Sequence, residues 1–276
     1  MIHRTVVLAD LHTGSTGALW APEQLLGGGG SYILNKTQQF LSDCWKDTTR
    51  RIRRLQPDVL VVNGDALQGQ SIRDGQLVTN RCDIQRRSAY KLLKPIRERA
   101  RQFFMFRGTP WHEGKASENT SDLAEMLGAE VSPATGEYLF WEAYIQLPGG
   151  DEPVMHITHH IGATKVSWYE ATVPLRDTLM LLSELTRWYK KEAPNVRITV
   201  RAHRHRCIGV FIAPDMQAWT VPSWQVKTAY AHQKSIVTLP HIGYILIEWD
   251  GKDIVVKPKM YPVPPPDIVV LKAKGG

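Results

Sequence analysis

Five short apolar runs, each followed closely by acidic or imidazole side chains, constrain this chain more than any other feature. The runs occupy residues 5–9, 59–62, 103–106, 154–158 and 197–200, and they are rich in β-branched and aromatic residues. Short apolar runs of this kind predict strands that are buried on both faces. In open α/β sheets, functional groups gather outside the carboxyl ends of such strands, so we expect one shared site. Its candidate residues are Asp10, His12, Asp65, His112, His159 or His160, His203 and His205.

Taken separately, each of these patterns is weak. Asp10 and His12 alone are more typical of a strand end whose Asp caps a turn. His203 and His205 have the two-residue period of a strand, so both imidazoles face the same side and could chelate a metal ion. One metal site explains all five strand ends together, whereas unrelated structural roles would have to recur at each of them. Because carboxylate and neutral imidazole are ligands of divalent transition metals, the sequence predicts a metal site with several ligands.

The order of the motifs resembles the calcineurin-like metallophosphoesterase superfamily, whose pattern is Asp-x-His, Gly-Asp, Gly-Asn-His-Asp/Glu, a strand-end His, and Gly-His-x-His. The corresponding pieces are Asp10-Leu11-His12, Gly64-Asp65, Gly108 to Glu113, His159 or His160, and Ala202-His203-Arg204-His205. Ala202 stands in place of the family's Gly. In the third block Thr109 stands near the place of the family's Asn, and two further residues precede His112. This Gly-Thr-x-x-His variant resembles phage-encoded members more than the protein phosphatases.

The resemblance implies two adjacent divalent transition-metal ions, with manganese as the first choice and zinc, iron or nickel as alternatives. It assigns Asp10, His12 and His205 to the first ion, His159 and His203 to the second, and Asp65 as the bridge between them. His112 would be the catalytic histidine, which contacts the substrate phosphate or protonates the leaving oxygen. Two metals of this kind activate a water and clamp the phosphoryl oxygens.

The missing Asn leaves several substitutes open. Thr109, Glu113, a water or a distant residue such as Asn80 could take its place. Asn63 or Glu113 could orient the ligands, as amides and carboxylates do around metal-bound histidines. His160 remains the alternative to His159. Arg107 and Trp111 are the candidate substrate-binding residues.

The remaining pattern predicts an α/β fold, a two-sheet βαβ sandwich flanked by helices, as the family resemblance also implies. Helical spacing covers 36–56, 82–101, 121–127 and 175–191, and the aromatic-rich stretch 135–147 predicts a strand. Further strands are expected at 208–212, 217–221, 243–249 and 254–258. We expect a single domain over 1–261 and a Pro-rich tail over 262–276. Gly27 to Gly30 read as a flexible loop, with a lid over the site as the alternative.

Charge bears on the substrate. The formal net charge is +7, and arginines cluster at 50–54 and 81–101. These clusters are either ordinary solvated helix faces or contacts to the phosphates of a nucleic acid. We favour a phosphodiesterase or nuclease acting on nucleic-acid or nucleotide diesters. The alternatives are a phosphomonoesterase acting on a nucleotide or a protein, and a catalytically weak metal-binding scaffold. Three cysteines without metal-like spacing and no long apolar stretch suggest a cytoplasmic protein without a membrane partner, and a homodimer is compatible with the sequence.

Overall fold

A computed structural model describes residues 2–70, 76–114, 118–149, 154–162, 169–234 and 238–265. Within these segments the chain forms eleven strands and six α-helices. In chain order they are β1 (His3–Leu8), α1 (Lys36–Leu55), β2 (Val59–Asn63), α2 (Cys82–Arg97), β3 (Gln102–Phe106), α3 (Pro110–Glu113), α4 (Glu118–Met126), β4 (Leu139–Phe140), β5 (Glu142–Gln146), β6 (Val154–Thr158), α5 (Thr172–Tyr189), β7 (Val196–Arg201), β8 (Ile208–Ala213), β9 (Met216–Thr220), α6 (Ala229–Gln233), β10 (Ile242–Trp249) and β11 (Ile254–Tyr261).

The strands form two mixed sheets. The first has the order β11-β10-β1-β2-β3-β4, and the second has the order β5-β6-β7-β9-β8. In the first sheet β1 through β4 run parallel, while β10 pairs antiparallel with β1 and with β11. In the second sheet β6, β7 and β9 are parallel. The parallel strands therefore present their carboxyl ends at one edge of each sheet.

Three apolar clusters show how the layers pack. One fills the space between the two sheets, with Val61, Phe106 and Ile157 among its members. A second joins the first sheet to the flanking helices, and a third, smaller one joins α5 to the second sheet. The predicted α/β architecture of two sheets flanked by helices is confirmed.

Helix α1 shows how local sequence sets the bounds of an element. Asn35 caps it: the Asn35 side chain accepts a hydrogen bond from the Gln38 backbone, and the Gln38 side chain accepts one from the Asn35 backbone. This reciprocal pair satisfies two of the amide groups that a helix start leaves without partners. At the other end Gln56 adopts a left-handed conformation, and Pro57 follows, which cannot continue a helix. The predicted helix over 36–56 is confirmed.

The stretch 135–147 departs most from the prediction of one strand. It divides into β4, which pairs with β3 in the first sheet, and β5, which pairs with β6 in the second. The chain thus crosses from one sheet to the other at Trp141, and an aromatic-rich composition cannot reveal such a crossing. The other expected strands and helices are present, with α2 ending at Arg97 rather than at 101. The short helices α3 and α6 were not predicted.

Two sequence predictions remain predictions. Of the tail over 262–276, residues 266–276 lie outside the described segments, and the division into one domain and a tail is not tested. Gly27 to Gly30 are exposed, and their proposed role as a lid is not tested either. None of the helices in the described segments has the length and apolar character that a membrane-spanning helix needs.

Candidate metal centre

Four strand ends, two from each sheet, meet at one place. The loops after β1 and β2 run side by side, since the Asp10 amide donates to the Gly64 carbonyl at 3.1 Å and the His12 amide to the Asp65 carbonyl at 2.9 Å. The loop after β7 joins them, because the His203 amide donates to Asp10 Oδ2 at 3.1 Å. These bonds attach the second sheet to the first at the edge where the predicted ligands lie.

Three groups of His and Asp side chains bring their ligand atoms within 4.8 Å of one another in the described segments. They are Asp10, His12 and His205; Asp65, His159 and His203; and His12, Asp65 and His112. The first two groups coincide with the two ligand sets that the family resemblance implies. We call the six residues of these two groups the metal centre.

Asp65 lies between the two groups. Its Oδ2 is 3.2 Å from His159 Nε2, and 4.0 Å from both His12 Nε2 and His203 Nδ1. A carboxylate has two oxygens and can therefore share its charge between two cations. This position fits the predicted bridge.

Several nitrogen and oxygen atoms of the metal centre that could bind a metal ion lie close to one another. His12 Nε2 and His205 Nε2 lie 3.1 Å apart, and two imidazole lone pairs can share that space only with a proton or a cation between them. Asp10 Oδ1 and His159 Nε2 are buried and form no hydrogen bond within the described structure, although ion pairs with other residues of the metal centre reach both atoms. Buried polar atoms of this kind are costly unless something binds them. A set of imidazole nitrogens and carboxylate oxygens suits first-row divalent metals, so the residues fit such an ion.

The backbone at the metal centre is strained. Five of the eight non-glycine residues that have positive φ in the described segments belong to it. They are Asp10 (51°), His12 (45°), Asp65 (47°), His203 (68°) and His205 (55°). Each such residue costs about 1 kcal/mol, and this strain concentrates at ligand sites because the surrounding structure must hold it.

Both carboxyl groups of the metal centre are fully ionised. Burial alone would raise the pKa of Asp10, but the charge of His205 and the contact with His12 hold it far below its usual value. Burial opposes the ionisation of Asp65 in the same way, and the charge of His159 outweighs it and lowers the pKa. The chain thus places two negative charges among its histidines.

The two buried histidines beside these carboxylates differ. Burial lowers the pKa of His12 to about 4, and the nearby His112 adds to this effect, so His12 is neutral at pH 7. Burial also opposes protonation of His159, but the charge of Asp65, with a further contribution from Asp10, raises its pKa to about 9. His159 is therefore positively charged at pH 7, with a proton on each ring nitrogen, when no cation is present.

Two glycines of the sequence motifs lie where a larger residue would not fit. A Cβ at Gly64, whose φ is +77°, would lie 2.2 Å from His159 Nδ1. A Cβ at Gly108 would lie 2.2 Å from Asp65 Oδ1 and 2.8 Å from Glu113 Oε1. Only glycine at these positions allows the ligands to approach the backbone so closely.

Thr109, near the place of the family's Asn, acts on Asp65 as a hydrogen-bond donor. Its amide donates to Asp65 Oδ1 at 2.7 Å, and its hydroxyl lies 3.1 Å from the same oxygen. These contacts orient the Asp65 carboxylate. Glu113 is fully buried beside Gly108, and Asn80 is exposed, but neither belongs to any of the three groups.

His112 lies in α3, beside the metal centre. Its Nδ1 is 3.0 Å from the Gln68 carbonyl oxygen, and its ring meets that of His12 edge-on at 4.5 Å. Because a carbonyl only accepts, Nδ1 must donate, which leaves Nε2 for other partners. Trp111, the residue before His112, is half exposed and therefore accessible to a ligand.

The remaining candidates have other surroundings. Asn63 orients His159, but through its backbone, whose carbonyl accepts from His159 Nδ1 at 2.7 Å. His160 is exposed and belongs to none of the three groups, whereas His159 is fully buried among the ligands. Arg107 forms an ion pair with Glu137 and stacks on Trp141, so its guanidinium is engaged within the protein. Its predicted contact with substrate is not tested.

Three glutamines connected to His112 through hydrogen bonds were not predicted from the sequence. They are Gln68, Gln85 and Gln225, all of which are buried. A polar residue in the first turn of a helix, as Gln85 is in α2, is an ordinary pattern that gives no signal of its own. Their connection to His112 consists of hydrogen bonds between residues far apart in the chain.

Comparisons with known proteins add a distant likeness. No protein-family model matches this chain, and neither does any curated protein. A dimetal phosphatase from Danio rerio aligns with a TM-score of 0.45 and 11% identity, over 93% of this chain and 95% of that chain. Vps29 from Entamoeba histolytica, a double mutant, aligns with a TM-score of 0.40 and 13% identity, over 94% and 99%. A predicted phosphoesterase from Streptococcus pneumoniae gives 0.38 and 10%, over 95% and 99%. At these scores the activity has to be inferred from the residues of this chain.

Proposed function

We propose that this chain is a two-metal phosphoric ester hydrolase of the calcineurin-like metallophosphoesterase superfamily. One observation carries the proposal: two ligand groups, one around Asp10 and one around Asp65, lie side by side in the arrangement that the sequence motifs imply. Unrelated histidines would not be expected to converge on two buried carboxylates with their ring nitrogens facing one another.

The roles of the chain's own residues follow from this arrangement. Asp10, His12 and His205 would hold one ion, His159 and His203 the other, and Asp65 would contact both. When bound, such ions lower the pKa of a water molecule and withdraw charge from phosphoryl oxygens. Thr109 keeps the Asp65 carboxylate in one orientation through two donated hydrogen bonds. Manganese is the proposed metal, with zinc, iron or nickel as alternatives.

His112 is proposed to act on the substrate. Because its Nδ1 donates to the Gln68 carbonyl, Nε2 is the nitrogen that faces the substrate, and in the imidazolium form, with a proton on each nitrogen, it would donate to a phosphoryl oxygen or hand its proton to the leaving oxygen. The ring already lies against His12, so the proton would be delivered next to the proposed ions. A general acid in this position typically contributes about 10²- to 10⁴-fold in rate.

For the substrate we propose a phosphodiester of a nucleic acid or nucleotide. The net charge of +7 and the half-exposed Trp111 beside His112 support it, since a positive surface attracts phosphates and an indole can stack on a base. The arginines at the end of α1 bear on this only for long substrates. These arginines lie at the end of α1 that is followed by the start of β2, whereas Asp65 follows the opposite end of β2. The 20-residue helix α1 is about 30 Å long, so only a long substrate could contact both the arginines and the metal centre.

The decisive experiment combines metal analysis with hydrolysis of a generic aryl phosphodiester and the matching monoester under Mn, Zn, Fe and Mg. We expect about two ions per chain and faster hydrolysis of the diester. Asp65→Asn should lose metal and orders of magnitude in activity, because it removes the bridging charge. Asn tolerates the left-handed backbone at this position, so the fold should persist. Full metal content and full activity in this variant would refute the proposal.

The remaining outcomes separate the alternatives. A preference for the monoester would identify a phosphomonoesterase and contradict the diester proposal. Full metal loading without hydrolysis of either ester would identify a metal-binding scaffold.

Nucleic-acid binding is tested separately. Affinity should fall linearly with salt on logarithmic axes, because phosphate contacts release counterions. Arg53→Gln with Arg54→Gln should weaken binding of a long oligonucleotide and leave a short one unaffected, since these exposed residues lie at the far end of α1. Arg187→Gln with Lys191→Gln, which removes the same charge from another exposed surface, is the matched control. No binding of DNA or RNA at low salt would contradict a nucleic-acid substrate.

A further inference from the structure

We propose that Gln85 is a positioning residue for His112, acting through the loop that follows Asp65. This inference deepens the proposed function and rests on it for the catalytic consequence, whereas the position of the imidazole can be measured without any activity. We call residues Ala66 to Gln70 the clamp loop.

The clamp loop holds the imidazole through a backbone group. His112 Nδ1 donates to the Gln68 carbonyl at 3.0 Å, so the orientation of the ring follows the position of that carbonyl. The next residue, Gly69, shares the peptide unit to which this carbonyl belongs. Whatever fixes Gly69 therefore fixes the group to which His112 donates.

Gln85 fixes Gly69 from both sides of its peptide backbone. The Gln85 side-chain oxygen accepts from the Gly69 amide at 2.9 Å, and its nitrogen donates to the Gly69 carbonyl at 2.8 Å. The same nitrogen donates to the Thr79 carbonyl at 2.8 Å. The side chain is fully buried in the first turn of α2, so no water competes for these three bonds. One amide thus ties Gly69 and Thr79 to a helix.

The surroundings leave little room for this arrangement to shift. A Cβ at Gly69, whose φ is +75°, would lie 2.0 Å from the His112 carbonyl oxygen, so the clamp loop presses directly on the backbone of α3. A Cβ at Gly14 would lie 2.4 Å from Gln85 Cδ. The loops after β1 and β2 therefore both pack against the same glutamine side chain. A shift of Gln85 would move the clamp loop, and with it His112.

A second glutamine supports the same loop from the opposite direction. Gln225 Nε2 donates to Gln68 Oε1 at 3.1 Å, and both side chains are buried. This bond is weaker support than that of Gln85, because it reaches only the side chain of Gln68. It provides a milder perturbation of the same kind.

The first test measures the His112 tautomer in metal-free protein by ¹⁵N NMR, with the resonance assigned by comparison with His112→Gln. In the wild type, the single proton of the neutral imidazole should reside on Nδ1. Gln85→Met keeps the volume of the side chain but removes its three hydrogen bonds, and it should give a mixture with the Nε2–H form. Gln217→Met is the matched control: Gln217 is also buried and bonded to a backbone carbonyl, but in the second sheet. An unchanged Nδ1–H form in Gln85→Met would overturn the proposal.

The second test follows the consequence for turnover of the metal-loaded enzyme. Gln85→Met should lower kcat by about 10- to 100-fold with little change in KM or metal content, because a small displacement of a catalytic group affects the reaction more than binding. Gln217→Met should lose comparable stability and keep kcat. Equal losses of kcat in the two variants would overturn the proposal, since both would then reflect general destabilisation.

Two further outcomes are distinguishable. An inactive wild-type enzyme would refute the proposed function, and the tautomer measurement would still decide whether Gln85 positions His112. If Gln85→Met does not fold, Gln225→Met is read by the same criteria, with a smaller shift of the tautomer and of kcat expected. No change in either quantity for the folded variant would overturn the proposal.

Discussion

Replacing Asp65 by Asn in the metal-free protein should remove most of a pH dependence of stability that His159 produces. The pKa of His159 is raised from 6.5 to about 9, and Asp65 Oδ2 lies 3.2 Å from its Nε2. A histidine whose folded-state pKa exceeds its unfolded value contributes stability that is fully present below the unfolded pKa. This contribution disappears as the pH rises through the folded-state pKa.

The size of this effect follows from the two pKa values. With values of 6.5 and about 9, linkage gives about 2–3 kcal/mol of stability at pH 7 and almost none at pH 9.5. The wild-type protein should therefore lose about 2 kcal/mol from this group between the two pH values. In Asp65→Asn the main negative charge beside His159 is absent. Only Asp10, whose Oδ1 is 3.9 Å away, still favours its protonation.

The assay is urea unfolding of both proteins in the presence of a chelator at the two pH values. Groups that titrate in this range away from Asp65 are common to both proteins, so they cancel in the difference. Asp177→Asn is the control, because Asp177 pairs with Arg201 rather than with a histidine, and it should keep the wild-type pH dependence. An equal loss of stability in Asp65→Asn and the wild type would show that Asp65 does not hold His159 protonated.

Three further predictions concern the metal-loaded protein. Metal uptake at pH 7 should release about one proton from His159, because its pKa in the metal-free protein is about 9. Calorimetry in two buffers of different ionisation enthalpy would measure the number of protons released. Zero release would contradict the assignment of His159 as a ligand. His112→Ala should lower turnover about 10²- to 10⁴-fold and leave metal content unchanged, with the larger loss for poor leaving groups. Loss of metal in this variant would show instead that His112 is a ligand, as its place beside His12 and Asp65 permits. Thr109→Val should weaken metal binding about 10-fold by removing the hydroxyl beside Asp65, and Thr109→Ser should restore it.

Parts of the candidate site could not be predicted because they depend on contacts between residues that are far apart in the sequence. The Gln68 carbonyl that holds His112 is a backbone group 44 residues away, and a backbone carbonyl leaves no residue type to recognise. Gln85 resembles any buried polar residue of a helix until its three bonds to the backbone are seen. Thr109 stands near the place of a ligand in the motif, yet its hydrogen bonds to Asp65 orient the carboxylate.

The sequence by itself determined the strands and the identity of the residues at their ends. A buried strand needs a run of apolar residues, and a metal ligand needs a carboxylate or an imidazole, so both are written in residue types and short spacings. For this reason the two-sheet architecture and the six convergent residues of the metal centre could be predicted. The division of the stretch 135–147 between two sheets could not, because nothing local distinguishes the partners β3 and β6.

The tertiary structure alone decided which of these residues approach one another and in what geometry. It buries His159 against Asp65 and leaves its neighbour His160 exposed, although the two histidines are adjacent and chemically identical. It also turns the guanidinium of Arg107 towards Glu137. Such choices depend on the packing of two sheets and on backbone bonds between residues far apart in the chain, and the energy of these contacts exists only once the sheets have come together.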